Sequence, residues 1–72
     1  MNRLELVRRL SFESKVTMRE VAEGLGVHSQ SLYRSLRSGL SLDKFVDIAH
    51  VCGYRVLVVD DGGHVITEVD NE

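Results

Sequence analysis

VAEGLGVHSQSLYRSLRSG, residues 21–39 of a 72-residue chain, holds two short helix-like runs split by Gly26 and closed by Gly39. In the second run Leu32 and Leu36 are the large aliphatic residues, four apart and so on one helical face. Ser29, Gln30, Ser31, Tyr33, Arg34, Ser35 and Arg37 occupy the rest of its circumference. A helix needed only to complete a core has no use for so many hydrogen-bonding side chains.

Two short helices joined by a tight glycine turn predict a helix-turn-helix. The first buries Val21, Ala22 and Leu25; Val27, Leu32 and Leu36 hold the second. A helix that enters the DNA major groove needs a polar face, because base edges there offer donor and acceptor patterns that Arg and Gln match.

The flanking sequence supports the same layout. Thr17-Met18-Arg19-Glu20 is a capping box that starts the first of these helices, and Gly26 ends it as a left-handed residue. Gly24 inside it costs about 1 kcal/mol relative to Ala, which predicts a close neighbour at that point. His28 or Ser29 caps the next helix, which runs to about Arg37 before Ser38-Gly39. Upstream, Asn2–Ser14 reads as a helix capped by Asn2, with Leu6, Val7 and Leu10 on its apolar stripe and Leu4 and Phe12 at the edges. Downstream, Ser41 caps a fourth helix with Asp43 in its first turn. Leu42, Phe45, Val46, Ile48, Ala49 and Cys52 supply its apolar face, and Gly53 ends it.

The period then changes to two. Residues 54–59 and 64–69 are β-branched runs around Asp60-Asp61-Gly62-Gly63, a hairpin signal. An Asp61-Gly62 turn sets Arg55 against Glu68, Leu57 against Ile66 and Val58 against Val65. A Gly62-Gly63 turn sets Leu57 against Glu68. The first is preferred because opposite charges and like apolar groups then pair. Asn71-Glu72 reads as a frayed end. The expected fold is mainly α with a C-terminal β-hairpin: four helices plus two antiparallel strands, without repeat, linker or proline. Residues 1–53 form the DNA-binding part, and 54–70 a hairpin that serves as dimerisation element of the same single domain.

Composition narrows the class. A chain of 8.1 kDa buries a modest core. One cysteine, Cys52, excludes an intramolecular disulfide and suits a reducing, cytoplasmic setting. No apolar run approaches the roughly 20 residues of a membrane span, and MNRLELVRRL lacks a signal-peptide core. The net charge of −2 hides a polarity. Residues 1–44 carry eight Lys/Arg against five acids, whereas residues 45–72 carry Arg55 against six acids.

The pattern Val21-Ala22-x-x-Leu25-Gly26-Val27-x-Ser29-x-Ser31-Leu32-Tyr33-Arg34 resembles the signature of the Cro/lambda-repressor (xenobiotic response element, XRE) superfamily. The likeness spans about residues 4–53, and Leu42-x-x-Phe45-x-x-Ile48-Ala49-x-x-x-Gly53-Tyr54 resembles that family's fourth helix. Ser31-Leu32-Tyr33-Arg34-Ser35-Leu36 more narrowly resembles addiction-module antidotes and small phage or mobile-element regulators. The resemblance implies a dimeric, sequence-specific DNA-binding regulator. Two departures stand out. Met18 lies where the family often has a phosphate-contacting Gln, and the hairpin stands in place of a fifth helix.

On this reading Gln30 and Arg34 read bases, Arg34 on guanine and Gln30 on adenine, flanked by Ser29 and Tyr33. Arg37, Arg19 and Lys15 are candidates for phosphate, as are the backbone N–H groups at Thr17-Met18. His28, His50, His64 and Cys52 have no metal-ligand spacing; His50 and Cys52 point apart on a helix. No serine lies in a nucleophile context, so no enzyme activity, cofactor or metal is expected. Both hairpin faces are apolar: Tyr54, Val56, Val58, Val65 and Val69 on one, Leu57, Val59 and Ile66 on the other. One can cover the helices, and the other predicts a homodimer interface. The expected function is a transcriptional repressor on double-stranded DNA. The alternative is an antidote or adaptor whose hairpin holds a protein partner such as a toxin.

Overall fold

A computed structural model describes residues 1–70 and contains, in order, α1 (Arg3–Ser14), α2 (Met18–Leu25), α3 (Ser29–Ser38), α4 (Leu42–Val51), β1 (Val56–Val59) and β2 (Val65–Val69). The expected fraying of Asn71-Glu72 lies outside the described residues. The protein is thus mainly helical, with a two-stranded antiparallel hairpin at its C-terminal end. No helix among the described residues is long and apolar enough to cross a membrane.

The helix ends follow their local chemistry. Asn2 Oδ1 accepts from Glu5 N–H at 2.8 Å, and Ser41 Oγ from Lys44 N–H at 3.1 Å. Both halves of the Thr17/Glu20 capping box form. Gly26 adopts φ 72°, and the next N–H, of Val27, donates back to the Ala22 carbonyl at 3.0 Å. That reversal sends the chain from α2 into α3 within three residues. His28 occupies the α3 cap position without a side-chain cap bond. Lys15 ends α1 at φ 61°, a left-handed conformation that no signal in the sequence announces.

The core forms where the four helices meet. Val7, Val21, Leu32, Val46 and Ile48 are fully buried, joined by Ala22, Leu36, Ala49 and Cys52. Each large aliphatic contributes about 1.5–3 kcal/mol by leaving water. Gly24 has the close neighbour its sequence cost implied: a Cβ there would lie 2.9 Å from Val51 Cγ1, so α2 and α4 approach too closely for a side chain.

Three apolar assignments are corrected. Leu6 is 36% exposed, at the outer edge of the Leu4–Val7–Leu10 stripe of α1 beside Leu10, and Phe12 is 80% exposed, beyond the opposite edge where no neighbouring element covers it. Leu42 is 61% exposed; as the first residue of α4 it lies beyond the last layer of neighbours.

The hairpin register also differs from the preferred one. Val56 faces Val69, Leu57 faces Glu68 and Val58 faces Thr67; then the pairing shifts, and Val59 faces Val65. Asp61 and Gly62 do form the centre of a turn, with Gly63 N–H donating to the Asp60 carbonyl at 3.0 Å. Gly63 then adds a left-handed residue (φ 84°) and makes a three-residue loop. Asp60 Oδ1 fixes that loop by accepting from Gly62 and His64 N–H, each at 2.9 Å. Ile66 is the extra residue at the shift, a bulge that offsets the ladder once more. Arg55 still pairs with Glu68, but diagonally: Nη2 lies 2.7 Å from Oε1. The bulge also places Val65 opposite Val59 rather than on the Val56–Val58 face.

The expectation that one hairpin face covers the helices is met only at the hairpin base. Tyr54 joins the helical core, and Val56, Glu68 and Val69 are half-buried at the hairpin base. Beyond them Leu57, Val58, Val59, Val65 and Ile66 are 39–64% exposed. The hairpin stands away from the helices as an arm.

Candidate functional site

The site is built on α3. Leu32 and Leu36 anchor that helix to the core, and the opposite stripe 30–33–34–37 follows the i, i+3, i+4, i+7 rule. Gln30, Tyr33, Arg34, Arg37 and Ser38 line one shallow hollow of about 390 Å³. Gln30, Arg34 and Arg37 are exposed, and Tyr33 is half-buried. The helix contains no acid. Arg34 and Arg37 have no carboxylate partner among the described residues. Ser35 and Ser38 turn their hydroxyls back onto the Ser31 and Arg34 carbonyls at 3.1 and 2.9 Å, so the free hydrogen-bonding capacity of the face rests on Gln30, Tyr33 and the two arginines. Ser29 is half-buried in the first turn and is not part of the hollow's lining.

The flanking candidates divide. Lys15 is exposed and unpaired among the described residues, at the corner between α1 and α2. That corner is tied by the Ser11 hydroxyl, which donates to the Val16 carbonyl. Arg19 is already engaged by Glu23, one turn along α2, at 3.4 Å. Thr17 spends both its hydroxyl and its backbone N–H on Glu20, so that N–H does not face an outside anion. Met18 is half-buried against the core. Arg3, which sequence reasoning misses, lies with Arg37 along a second hollow. Only the packing of α1 beside the end of α3 brings them together.

The sequence shows no metal-ligand spacing, but the fold brings His50 of α4 near Glu68 and Asp70 at the hairpin base, with ligand atoms within 4.8 Å of one another. The Arg55 guanidinium already lies on Glu68 Oε1. That hydrogen bond and the Arg55 charge hold the Glu68 carboxyl below its ordinary range, with smaller help from His50 and Asp70 and against desolvation; the same contact raises Arg55. The group therefore balances charge where α4 meets β2. His64 pairs with Asp60 at 3.3 Å within the hairpin loop, and Cys52 is buried in the core.

Comparison with family models, with curated proteins and with solved structures finds no match.

Proposed function

We propose that this protein is a sequence-specific DNA-binding regulator of the helix-turn-helix type, in which α2 and α3 form the motif and α3 enters the major groove. One observation carries the reading: α3 presents Gln30, Tyr33, Arg34 and Arg37 as a single cationic, acid-free stripe within residues 1–44, the segment that carries net positive charge. Arg34 supplies a bidentate donor pair for guanine and Gln30 a donor–acceptor pair for adenine. Tyr33 and Ser29 flank them, and Lys15 and Arg37 supply phosphate contacts.

In this reading residues 1–53 contact DNA and residues 54–70 join two copies. A two-stranded hairpin is marginal alone, and three or more strands or a covering layer stabilise it. Leu57, Val58, Val59, Val65 and Ile66 leave an apolar arm uncovered. Pairing it with a second copy across a two-fold axis sets two recognition helices on half-sites about 34 Å apart, and so on an inverted repeat. A repressor acting by occupancy of such a site is the simplest biological role.

The same exposed arm favours a second reading, in which the hairpin holds a different protein, as an antidote holds a toxin, and DNA contact is secondary. Fluorescence anisotropy with the DNA flanking the gene, at two salt concentrations, separates them. Specific binding that weakens steeply with salt, and that Arg34→Ala reduces by about 1–3 kcal/mol, supports the regulator. Binding indifferent to sequence and to Arg34, or none at low salt, overturns it in favour of the adaptor.

A further inference from the structure

We propose that Arg3 and Arg37 receive the sugar–phosphate backbone of bound DNA, one guanidinium to a phosphate, so that the interface runs from the face of α3 onto the start of α1. This rests on the DNA-binding reading above and adds a contact region to it. The hollow in question, about 540 Å³, lies between the first turn of α1 and the end of α3 and is lined by Met1, Asn2, Arg3, Leu4, Leu36 and Arg37. Arg37 also lines the hollow on the base-reading face of α3. The two depressions thus share one wall, and a strand that passes Gln30 and Arg34 continues past Arg37 toward Arg3.

The unpaired cationic charge favours an anion there. Neither Arg3 nor Arg37 has a carboxylate partner among the described residues, in contrast to Arg9, Arg19 and Arg55. Glu5, the acid of that turn, is bonded to Asn2 Nδ2 at 3.0 Å and is absent from the lining. The Arg3 guanidinium lies at the C-terminal end of α3, with Nη1 3.7 Å from where a Cβ on Gly39 would stand. A cation there is also favoured by the negative end of the helix dipole. Planar guanidinium forks match phosphate oxygens two at a time. Leu4 and Leu36 on the lining offer no polar competitor.

A phosphate contact and a purely structural role for Arg3 differ in one measurable quantity. The slope of log K against log salt counts the phosphates neutralised, at about 0.9 for each. Anisotropy titrations of a short random-sequence duplex and of the DNA flanking the gene, across a salt series, give that slope for wild type, Arg3→Ala, Arg37→Ala, the double variant and Arg3→Lys. The expected slope falls by about 0.9 for each single Ala variant and about 1.8 for the double, equally on both duplexes, while Arg3→Lys keeps the wild-type slope. Circular dichroism melting accompanies each variant, and Arg3→Gln replaces Arg3→Ala should the latter fail to fold. A folded Arg3→Ala or Arg3→Gln variant with the wild-type slope overturns the proposal and leaves Arg3 as a partner of the α3 terminus, with the DNA reading intact. A wild-type protein that shows no salt-dependent affinity for either duplex overturns the DNA reading and this contact together.

Discussion

The helical body and the hairpin are built from similar apolar material, yet one encloses it and the other displays it. Val7, Val21, Val46 and Ile48 are fully buried, whereas Val58, Val59, Val65 and Ile66 are about half exposed or more. The difference lies in the neighbours each element can reach. Four short helices cap, turn and cross so that every apolar stripe meets another. A two-stranded ribbon has two faces and two edges, and only its base touches the helices. Hydrophobicity in a sequence therefore states a need for cover without saying which molecule supplies it.

Substitutions test this contrast, beginning with the largest effect. Ile48→Ala or Leu32→Ala removes a fully buried side chain and is expected to cost about 2–5 kcal/mol in urea denaturation, much of what so small a domain has. Gly24→Ala drives a Cβ against Val51 and is expected to cost about 1–3 kcal/mol. Combining it with Val51→Ala should recover part of that loss in a double-mutant cycle, and strict additivity would show that the contact is not the cause. Thr17→Ala deletes one half of the capping box and should cost about 1 kcal/mol.

The same measurements on the hairpin should give far less. Val58→Asp and Ile66→Asp are expected to leave the unfolding free energy of the monomer within about 0.5 kcal/mol of wild type. If two copies pair through the hairpin as proposed, sedimentation should show these variants shifted from dimer to monomer. If either unfolds the chain as Ile48→Ala does, the hairpin belongs to the core and the contrast fails. The smallest effect is electrostatic. The Glu68 carboxyl is held below its ordinary range by Arg55, so its contribution is present above the unfolded-state range and is lost as the pH falls through the lowered value. The protection factors of the β1 and β2 amides, exchange corrected for its intrinsic pH dependence, should fall on acidification in wild type. Glu68→Gln should abolish that pH dependence and leave the helices unchanged.

What can be read from the sequence follows the range of the interactions involved. The capping box, the Gly26 reversal and the Asn2 and Ser41 caps lie within a few residues, and each is legible. The close approach at Gly24 can be inferred because an unfavourable residue needs a reason, although nothing local names Val51. The strand register cannot be read. It turns on the Asp60 carboxylate closing a three-residue loop and on Ile66 stepping out of the ladder, two choices that composition does not rank. Phe12 and Leu42 mislead because an apolar residue near a stripe looks the same whether or not a neighbouring element reaches it. On the site, the stripe of α3 follows from helical spacing, while Arg3 joins Arg37 only through the packing of α1 beside the end of α3.

Lys15 holds a left-handed backbone, a conformation that costs an ordinary L-residue about 1 kcal/mol and costs glycine little. Lys15→Gly should therefore raise the melting temperature. If the Lys15 cation serves DNA, the same substitution should weaken binding, setting durability against occupancy at one residue. On that reading, selection for heat resistance alone would drift toward glycine at this corner and lose grip on DNA. If both properties matter, the corner keeps its strained lysine, and the strain is the cost of holding a cation where glycine would fold more easily.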